Sequence, residues 1–528
     1  MIPLYSTAQI READGFAISQ LCFPGIVLME NAALQIFNYS SAKFDELDLK
    51  VSSIGFICGK GNNGGDGFAA ARHFANAGYS VIIIYTGNEE ELSNDCLINF
   101  SILKNIAAIN HKITLKKFSA DGDLKALYQY DVIFDAMLGS GTAGVLRSPY
   151  KEIVNYVNKI NCYKIAIDIP TGLNADTGFG ETVFHSDLTV TLGEFKKGLF
   201  FGEGKNSSGE IVKGNIGLSF KYYEKYSHSE YLIEPEDAFE FLPLKKKNIN
   251  KYSAGKVLTI AGSTNLPGAA MLSSISTLRS GAGSSVLAFP KSAKKFIHKK
   301  LLEVVVQSYE DGDKGFLSAK NIKELEKRIE WADVVAMGPG LGRNEETQEA
   351  VRRIIRTNKH RKIVIDADAI FALSEGNYKK INLKNLVLTP HHGEFANLTG
   401  IPISDLQKDI LQNGKEFVKE TGCYLVLKGA PTIIFSPSGE ALINTTGNPG
   451  MAKFGTGDVL TGILAGMLSQ QNDIEKAIVC GVYIHSLAAD LLLKDFSEYS
   501  FTAGDIVDNI PNAFKFLKKS IINSSKKL

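Results

Sequence analysis

The sequence predicts an α/β protein of two domains, each built on a parallel sheet between layers of helices. Three observations carry this expectation. Short apolar runs alternate with stretches of helical period, which is how βαβ units read. The alternation breaks after about residue 220 and then restarts. Many of the 49 glycines gather just after the apolar runs, at the sheet edge where parallel folds bind ligands. A chain of 528 residues is also too long for one ordinary core.

The elements follow in order. Residues 7–21 and 24–44 have helical period, with Thr7 as an N-cap and Pro24 as a first-turn residue. Strands are expected at 51–58, 81–85, 131–136 and 163–168, with helices near 66–78, 90–108 and 149–160. Residues 221–251 are rich in Lys, Tyr and Glu and show no strand period, so they read as a linker and a leading helix. That sets the domains at 1–228 and 229–528. A second series of strands follows near 256–260, 284–289, 333–337, 362–366, 385–388 and 423–427, and the end, 457–520, reads as helical. The basic runs 245–247 and 294–300 read as solvated helix faces, because Phe296 is the lone aromatic among them.

Composition excludes several classes. Lys and Arg total 58 against 57 acidic residues, so the formal charge is +1. A surface made to coat nucleic acid or anionic lipid would be strongly basic. No apolar run approaches the ~18 residues that span a bilayer. The first residues lack a basic, then apolar, leader pattern. The six cysteines are scattered with no Cys-x-x-Cys pair, which fits a reducing cytoplasm.

Residues 59–67 read Gly-Lys-Gly-Asn-Asn-Gly-Gly-Asp-Gly between a strand and a helix. Glycines let backbone N–H groups approach an anion, and the helix start adds partial positive charge. Gly59, Gly61 and Gly64 have the dinucleotide spacing, a weak signal alone. Asp66 would repel a pyrophosphate lying there, and Asn62 and Asn63 offer amides to a ribose, an amide or a cation. Walker A spacing and its Ser/Thr are missing. A tight turn with Asp66 as N-cap is the plain structural alternative. Strand 131–136 ends at Asp135 and runs into Gly139-Ser140-Gly141-Thr142-Ala143-Gly144. Strand 163–168 ends at Asp168, followed by Pro170-Thr171-Gly172. On one sheet edge, Asp66, Asp135 and Asp168 should converge with Asn63 and Thr171, a set suited to a cation or to acid–base work.

These motifs resemble the NAD(P)H-hydrate epimerase domain, the YjeF N-terminal family, over about residues 1–220, a Rossmann-like three-layer αβα sandwich. The resemblance implies substrate binding at Asn62, Asn63, Gly64, Gly65 and Asp66, and at Gly139, Ser140, Gly141, Thr142, Ala143, Gly144 and Val145. It implies a potassium ion at Asn63, Asp135 and Thr171, and Asp168 as acid–base and substrate ligand. Changing configuration at a carbon bearing OH beside an enamine nitrogen needs little beyond a proton carrier.

The second half has its own loops: Gly262-Ser263, Pro267-Gly268-Ala269-Ala270, Gly338-Pro339-Gly340-Leu341-Gly342, Asp366-Ala367-Asp368-Ala369, Thr389-Pro390-His391-His392-Gly393-Glu394 and Lys428-Gly429-Ala430-Pro431-Thr432. Gly455-Thr456-Gly457-Asp458 opens a helix. Free N–H groups there suit a transferred phosphoryl group, and Asp458 can take the acceptor's proton. An N-cap role for Asp458 is the plainer alternative. His391 and His392 lack metal-ligand spacing, so substrate contact is preferred to metal.

This half resembles the ribokinase-like superfamily, an αβα sandwich, and within it the NAD(P)H-hydrate dehydratase branch, over about residues 235–520. The resemblance implies substrate binding at Ala269, Gly340, Gly342, His391 and Asp458, with Asp458 catalytic. It implies nucleotide binding at Lys428, Gly429, Ala430, Pro431, Thr432 and Gly457, with Mg²⁺ on the nucleotide. The expected activity is bifunctional: epimerisation of R- and S-NAD(P)H-hydrate, then dehydration of the S epimer at the expense of ADP, giving AMP and phosphate. A homo-oligomer in the cytoplasm, without nucleic-acid or membrane partners, completes the expectation. Lys453 and Phe454 stand where many relatives carry small residues. Phe454 can narrow the phosphate loop and Lys453 can add a phosphate contact. Two readings compete: a hydroxyl kinase for a vitamin precursor or sugar, and a non-catalytic nucleotide- or RNA-binding module. A Rossmann dehydrogenase is more distant.

Overall fold

The structure is a computed structural model describing residues 1–141, 144–297, 301–358, 361–374 and 376–524. Contacts divide it into two units. One is Pro3–His228 with Gln407–Asp409; the other is Met1–Ile2 with Ser229–Leu406 and 410–528.

β1 is Ile2–Pro3. In the first unit β2 (Ser53–Cys58), β3 (Ser80–Tyr85), β4 (Ile113–Lys117), β5 (Val132–Ala136), β6 (Tyr163–Ile167), β7 (Leu188–Leu192) and β8 (Glu210–Gly214) form one sheet. Its order is β4-β3-β2-β5-β6-β7-β8, and every pairing is parallel. Both faces are covered, so the central strands are apolar on both sides. Ile54, Phe56 and Cys58 pack into one core with Phe68, Phe74 and Phe134; Ile57, Ile82 and Ile133 pack into another with Ile153 and Val154.

β4, β7 and β8 were not expected. β4 and β8 are edge strands with exposed polar residues, so their apolar signal is thin. β7 alternates Leu and Val with Thr, and its threonines are buried, Thr189 donating to the Ser208 carbonyl at 2.7 Å.

The helices differ from expectation at their starts. In α1 (Thr7–Ser19) the N-cap is Ser6, not Thr7. Ser6 Oγ accepts from Gln9 N–H at 3.3 Å and Gln9 Oε1 accepts from Ser6 N–H at 2.8 Å, a capping box. Thr7 instead donates its N–H and hydroxyl to Asp176. α2 (Gly25–Glu46) has Pro24 at its N-cap position. α3 (Asn62–Asn76) begins four residues early, after an extended Gly61, so Asn62 to Gly67 form its first turns rather than a loop. α4 is Asn94–Ala107.

Among the described residues the second unit's sheet carries eleven strands, β1 included: β9 (Glu230–Leu232), β10 (Lys256–Ile260), β11 (Ser284–Pro290), β12 (Val305–Tyr309), β13 (Val334–Met337), β14 (Lys362–Ile365), β15 (Val387–Leu388), β16 (Tyr424–Leu427), β17 (Thr432–Phe435) and β18 (Ala441–Asn444). The order is β1-β9-β18-β17-β16-β15-β14-β13-β10-β11-β12. β16 to β12 in that order are parallel; β17 and β18 form antiparallel pairings. One sheet face packs under the helices Thr456–Gln470, Ile474–Leu492 and Ala503–Ser524, which divide the expected helical end. The helix Pro267–Arg279 packs on the same face, against Thr456–Gln470, and its Ala270 joins a smaller core with Leu287 and Phe289. Lys245 to Lys247 lie outside any helix, with Lys245 donating to the Gly281 carbonyl at 2.7 Å. Lys294–Ile297 is a short helix, and 298–300 lie outside the described residues. Among the described residues no helix is long and apolar enough to cross a membrane.

Phe74 is fully buried among Phe37, Phe44, Phe56, Tyr79 and Phe134, with ring centroids 4.9–6.2 Å away. Phe74→Ala is expected to cost that unit about 3–5 kcal/mol, read as a lower urea midpoint. A midpoint shift worth less than about 1 kcal/mol would mean the cluster collapses to fill the gap.

Candidate active sites

In the first unit the strand order reverses direction between β2 and β5, and ligands bind at such a switch point. The loops after these two strands meet there, at glycine-only distances. A Cβ on Gly59 would lie 1.9 Å from the Met137 carbonyl oxygen, and one on Gly64 1.9 Å from the Gly59 carbonyl oxygen. A cavity of about 510 Å³ opens at this point.

Asn62, Asn63, Asp66, Gly139, Ser140, Gly141 and Asp168 line it. Gly64 and Gly65 do not; they let α3 pack closely, Gly65 against Met29 and Cys96. Gly144 and Val145 also lie off the lining, and Val145 is exposed. Thr142 and Ala143 lie outside the described residues. Asp135 and Thr171 are buried beneath the 137–139 loop rather than on the cavity wall. Asp135 accepts from Thr171 N–H at 2.7 Å, Thr171 Oγ1 at 2.8 Å and Met137 N–H at 3.1 Å; Thr171 Oγ1 accepts from Leu138 N–H at 3.0 Å. Burial pushes the Asp135 carboxyl up to about 6, against those hydrogen bonds. Asn63 adjoins Gly139, and both polar atoms of its buried amide lack a hydrogen-bond partner. A buried carboxylate without a cation and an orphaned amide are oxygen donors that fit a hard monovalent ion.

Asp168 follows β6 with φ +66°. Its Oδ1 accepts from Lys196 Nζ at 2.5 Å and Leu192 N–H at 3.2 Å, and its Oδ2 from Ser140 N–H at 3.3 Å. Lys196 is 1% exposed and also donates to Thr191 Oγ1 and the Leu192 carbonyl. Burial, reinforced by Asp168 and Asp14, pushes the Asp66 carboxyl well above the usual range. Asp66 is inside α3 and is no N-cap.

Lys196, Asp14 and Arg11 also line the cavity, and sequence reasoning missed them. A signal existed for Asp14. In α1 the buried residues are Ile10, Ala13 and Ala17, and Asp14 stands on that stripe at i+4 from Ile10.

In the second unit the switch point lies between β10 and β13. Gly262 N–H donates to the Pro339 carbonyl at 2.8 Å, and a Cβ on Gly340 would lie 3.2 Å from that of Ala269. Gly342 N–H donates to Asp368 at 2.9 Å. Lys428 Nζ pairs with Asp366 at 2.7 Å and lies 3.8 Å from Glu394. Burial alone would lower its ammonium; Asp366, Glu394 and Asp458 hold it above the usual lysine range. Thr461 Oγ1 donates to the other Asp366 oxygen at 2.7 Å. Gly457 abuts Lys428, where an added Cβ would be 3.3 Å from Nζ. Gly429, Ala430 and Pro431 form the turn from β16 to β17, and Thr432 opens β17.

His391 is the N-cap of the helix His392–Thr399, its Nδ1 accepting from Gly393 and Glu394 N–H. Asp458 is the third residue of Thr456–Gln470, whose N-cap is Gly455 at φ +95°. Burial first, and Asp366 next, push its carboxyl up to about 7, against Lys428. Lys453 gives its ammonium to the carbonyls of Tyr499 at 3.0 Å and Phe501 at 2.6 Å, so it is spent on the backbone rather than free for phosphate. Phe454 is fully solvent-exposed and so does not narrow the loop. Among the described residues no group of three or more His, Cys, Asp or Glu is arranged to hold a metal. Mg²⁺ commonly takes only one or two carboxylates and the nucleotide's phosphates, so Asp366 and Glu394 fit it chemically.

Residues 25–198 match the family described as YjeF-related protein N-terminus, and 257–512 the family NAD(P)H-hydrate dehydratase. The bifunctional NAD(P)H-hydrate repair enzyme of Moorella thermoacetica is 33% identical over 521 residues, covering 98% of both chains. The chain belongs to the bifunctional NAD(P)H-hydrate repair enzyme family. Another member, from Pyrobaculum aerophilum, is 33% identical over 93% of this chain and 94% of its own. A solved structure, the ADP/ATP-dependent NAD(P)H-hydrate dehydratase of Bacillus subtilis crystallised with ATP and Mg²⁺, is 31% identical, covers 54% of this chain and 98% of its own, and has a TM-score of 0.47.

In this family member the raised Asp458 carboxyl has a stability consequence. Between its ordinary value near 3.8 and about 7, the folded chain holds a proton that the unfolded chain has lost. The group's contribution to stability therefore declines as pH rises through that window. Asp458→Asn removes the penalty, so its urea midpoint should gain on the parent's between about pH 4 and about pH 7. A constant difference would reject this.

Proposed function

We propose that the chain repairs hydrated reduced nicotinamide nucleotides in two steps. The first unit interconverts the R and S epimers of the hydrate. The second phosphorylates the hydroxyl of the S epimer and expels phosphate, returning NADH or NADPH. What carries the reading is likeness to bifunctional repair enzymes along 98% of the chain; the two switch-point sites supply the chemistry.

In the second unit, the acceptor hydroxyl gives its proton to Asp458 as its oxygen takes the β-phosphoryl group of ADP. The phosphorus–oxygen bond to AMP breaks. The C6–O pair then leaves with phosphate while the N1 lone pair moves to C6, and loss of the C5 proton restores the ring. Hydroxide is a poor leaving group and phosphate a good one. Ala269, Gly340, Gly342 and the free face of His391 would hold the hydrate; Lys428 to Thr432 and Gly457 would hold the nucleotide. Mg²⁺, held by Asp366, Glu394 and the nucleotide, would neutralise phosphate charge. In the first unit Asn62, Asn63, Asp66 and the 139–141 loop would hold the hydrate against Asp168. K⁺ on Asn63, Asp135 and Thr171 would supply the positive charge that buried Asp135 lacks. A homo-oligomer in the cytoplasm goes with this reading.

The test uses the full chain with ADP and Mg²⁺ and each hydrate epimer, followed by recovery of the reduced ring's absorbance. Asp458→Asn should abolish recovery from both epimers, by at least about a hundredfold. Asp168→Asn should spare the S epimer and block the R epimer. Equal loss of both in Asp168→Asn would reject the division of labour, and a stable phosphorylated product would favour a hydroxyl kinase. A base at about 7 also predicts that S-epimer turnover falls about tenfold per pH unit below neutrality.

Exchanging K⁺ for tetramethylammonium should lower the thermal midpoint of the chain, and Asp135→Asn should remove that response. Equal midpoints in both salts for the parent would reject the ion site.

A further inference from the structure

We propose that Asp14 is a second catalytic proton carrier of the epimerase site, working with Asp168 on the hydrate bound in the 510 Å³ cavity. This rests on the epimerase reading above.

Asp168 is engaged on both sides. Its two oxygens already accept from Lys196, the Leu192 N–H and the Ser140 N–H. With both oxygens accepting, it serves as the proton acceptor and holds no proton of its own to give. Epimerisation nevertheless needs both services. The hydroxyl proton passes to the Asp168 carboxylate, and the O–H electron pair becomes the second bond of an aldehyde. The C6–N1 bond breaks, its pair goes to N1, and N1 takes a proton from a neutral acid. Rotation about C5–C6 presents the other face. The reverse transfers close the ring in the opposite configuration and return both protons. Nothing is oxidised or reduced, and no co-reactant is consumed.

Asp14 fits the neutral acid. It lines the cavity with Asp66, Asp168 and Lys196. Its Oδ1 is buried and has no hydrogen-bond partner, which a structural carboxylate rarely tolerates. It reaches this place because the chain before α1 is fixed beside Lys196. Tyr5 N–H donates to the Phe195 carbonyl at 2.9 Å, and Lys197 N–H to the Tyr5 carbonyl at 3.2 Å. The Ser6 cap then starts α1, and Asp14 follows two turns later.

The charged groups around it are Lys196, Asp168 and Asp66, with the Tyr223 phenol behind and Arg11 one turn earlier on the cavity wall. Burial raises the Asp14 carboxyl to about 6, with Lys196 opposing and Asp168 assisting. A value near the working pH lets one group give and regain a proton within a cycle. Asp66 is pushed up as well, by burial first and then by Asp168 and Asp14.

The experiment uses the full chain and pure R epimer, with S-epimer recovery as an internal measure of the dehydratase. Asp14→Asn should lower R-epimer conversion about a hundredfold and leave S-epimer recovery unchanged. Asp14→Ala should regain activity with added formate, a rescue that a purely structural role would not give. Conversion within about threefold of the parent in Asp14→Asn, or a large loss without rescue in Asp14→Ala, would overturn the proposal. Failure of the parent chain itself to convert the R epimer would instead reject the epimerase reading.

Discussion

Each unit concentrates three carboxylates around one lysine at its switch point, and one ammonium cannot satisfy three anions. In the first unit Lys196 is bound by Asp168, so Asp14 and Asp66 are left short of charge compensation. In the second, Lys428 is bound by Asp366, so Asp458 is left in the same condition. The paired carboxylate is fixed in place, and Asp14, Asp66 and Asp458 titrate high. Desolvation disfavours the charged form wherever no opposite charge offsets it. Acid–base capacity in both sites follows from this mismatch, not from any single residue type. Removing Lys196 or Lys428 would leave its carboxylate buried and unpaired, a cost well above that of a surface ion pair.

The second constraint is backbone proximity. At the switch points, loops from neighbouring strands approach until only a hydrogen fits on the α-carbon. Gly59 meets Met137 of the neighbouring loop, and Gly64 folds back onto Gly59 within its own. In the second unit a Cβ on Gly338 would fall 1.8 Å from the Asp366 carbonyl oxygen. These glycines do their work by packing the carboxylates' own strands and loops together. That explains why Gly64 and Gly65 are absent from the cavity wall although their motif is what draws attention to it.

This distinction governs how much of the molecule was legible in its sequence. Central strands read clearly because both of their faces are apolar: β2, β5, β6 and β10 fall within two residues of expectation. β4 and β8 were hidden at the sheet edges, and β7 by buried threonines, Thr189 donating to the Ser208 carbonyl and Thr191 accepting from Lys196. The site followed the same rule. Asp66 and Asp458 were visible because they sit beside glycines at helix starts, and Asp168 because it ends a strand before a Pro-Thr-Gly turn. Lys196 has no glycine beside it, and the one after Asp14, Gly15, lies inside α1 rather than at a strand end. They reach the cavity through tertiary contacts, a lysine turned inward onto an acid and a helix pinned at its first residue, and local pattern records neither.

Asp14 also marks where pattern could have been pressed harder. An acid on the apolar stripe of an amphipathic helix must either be paired or serve a purpose that outweighs its burial. Its neighbours on that stripe, Ile10, Ala13 and Ala17, keep water from one side of it, while the cavity opens on the other. Such a carboxyl is poised between two environments, and its proton affinity follows whichever charge enters the cavity. A ligand carrying negative phosphates would raise that affinity further, and an ammonium-like centre would lower it. The proton inventory of the site is thus set jointly by the protein and by what it binds, which is the behaviour required of a group that must both release and recover a proton within one turnover.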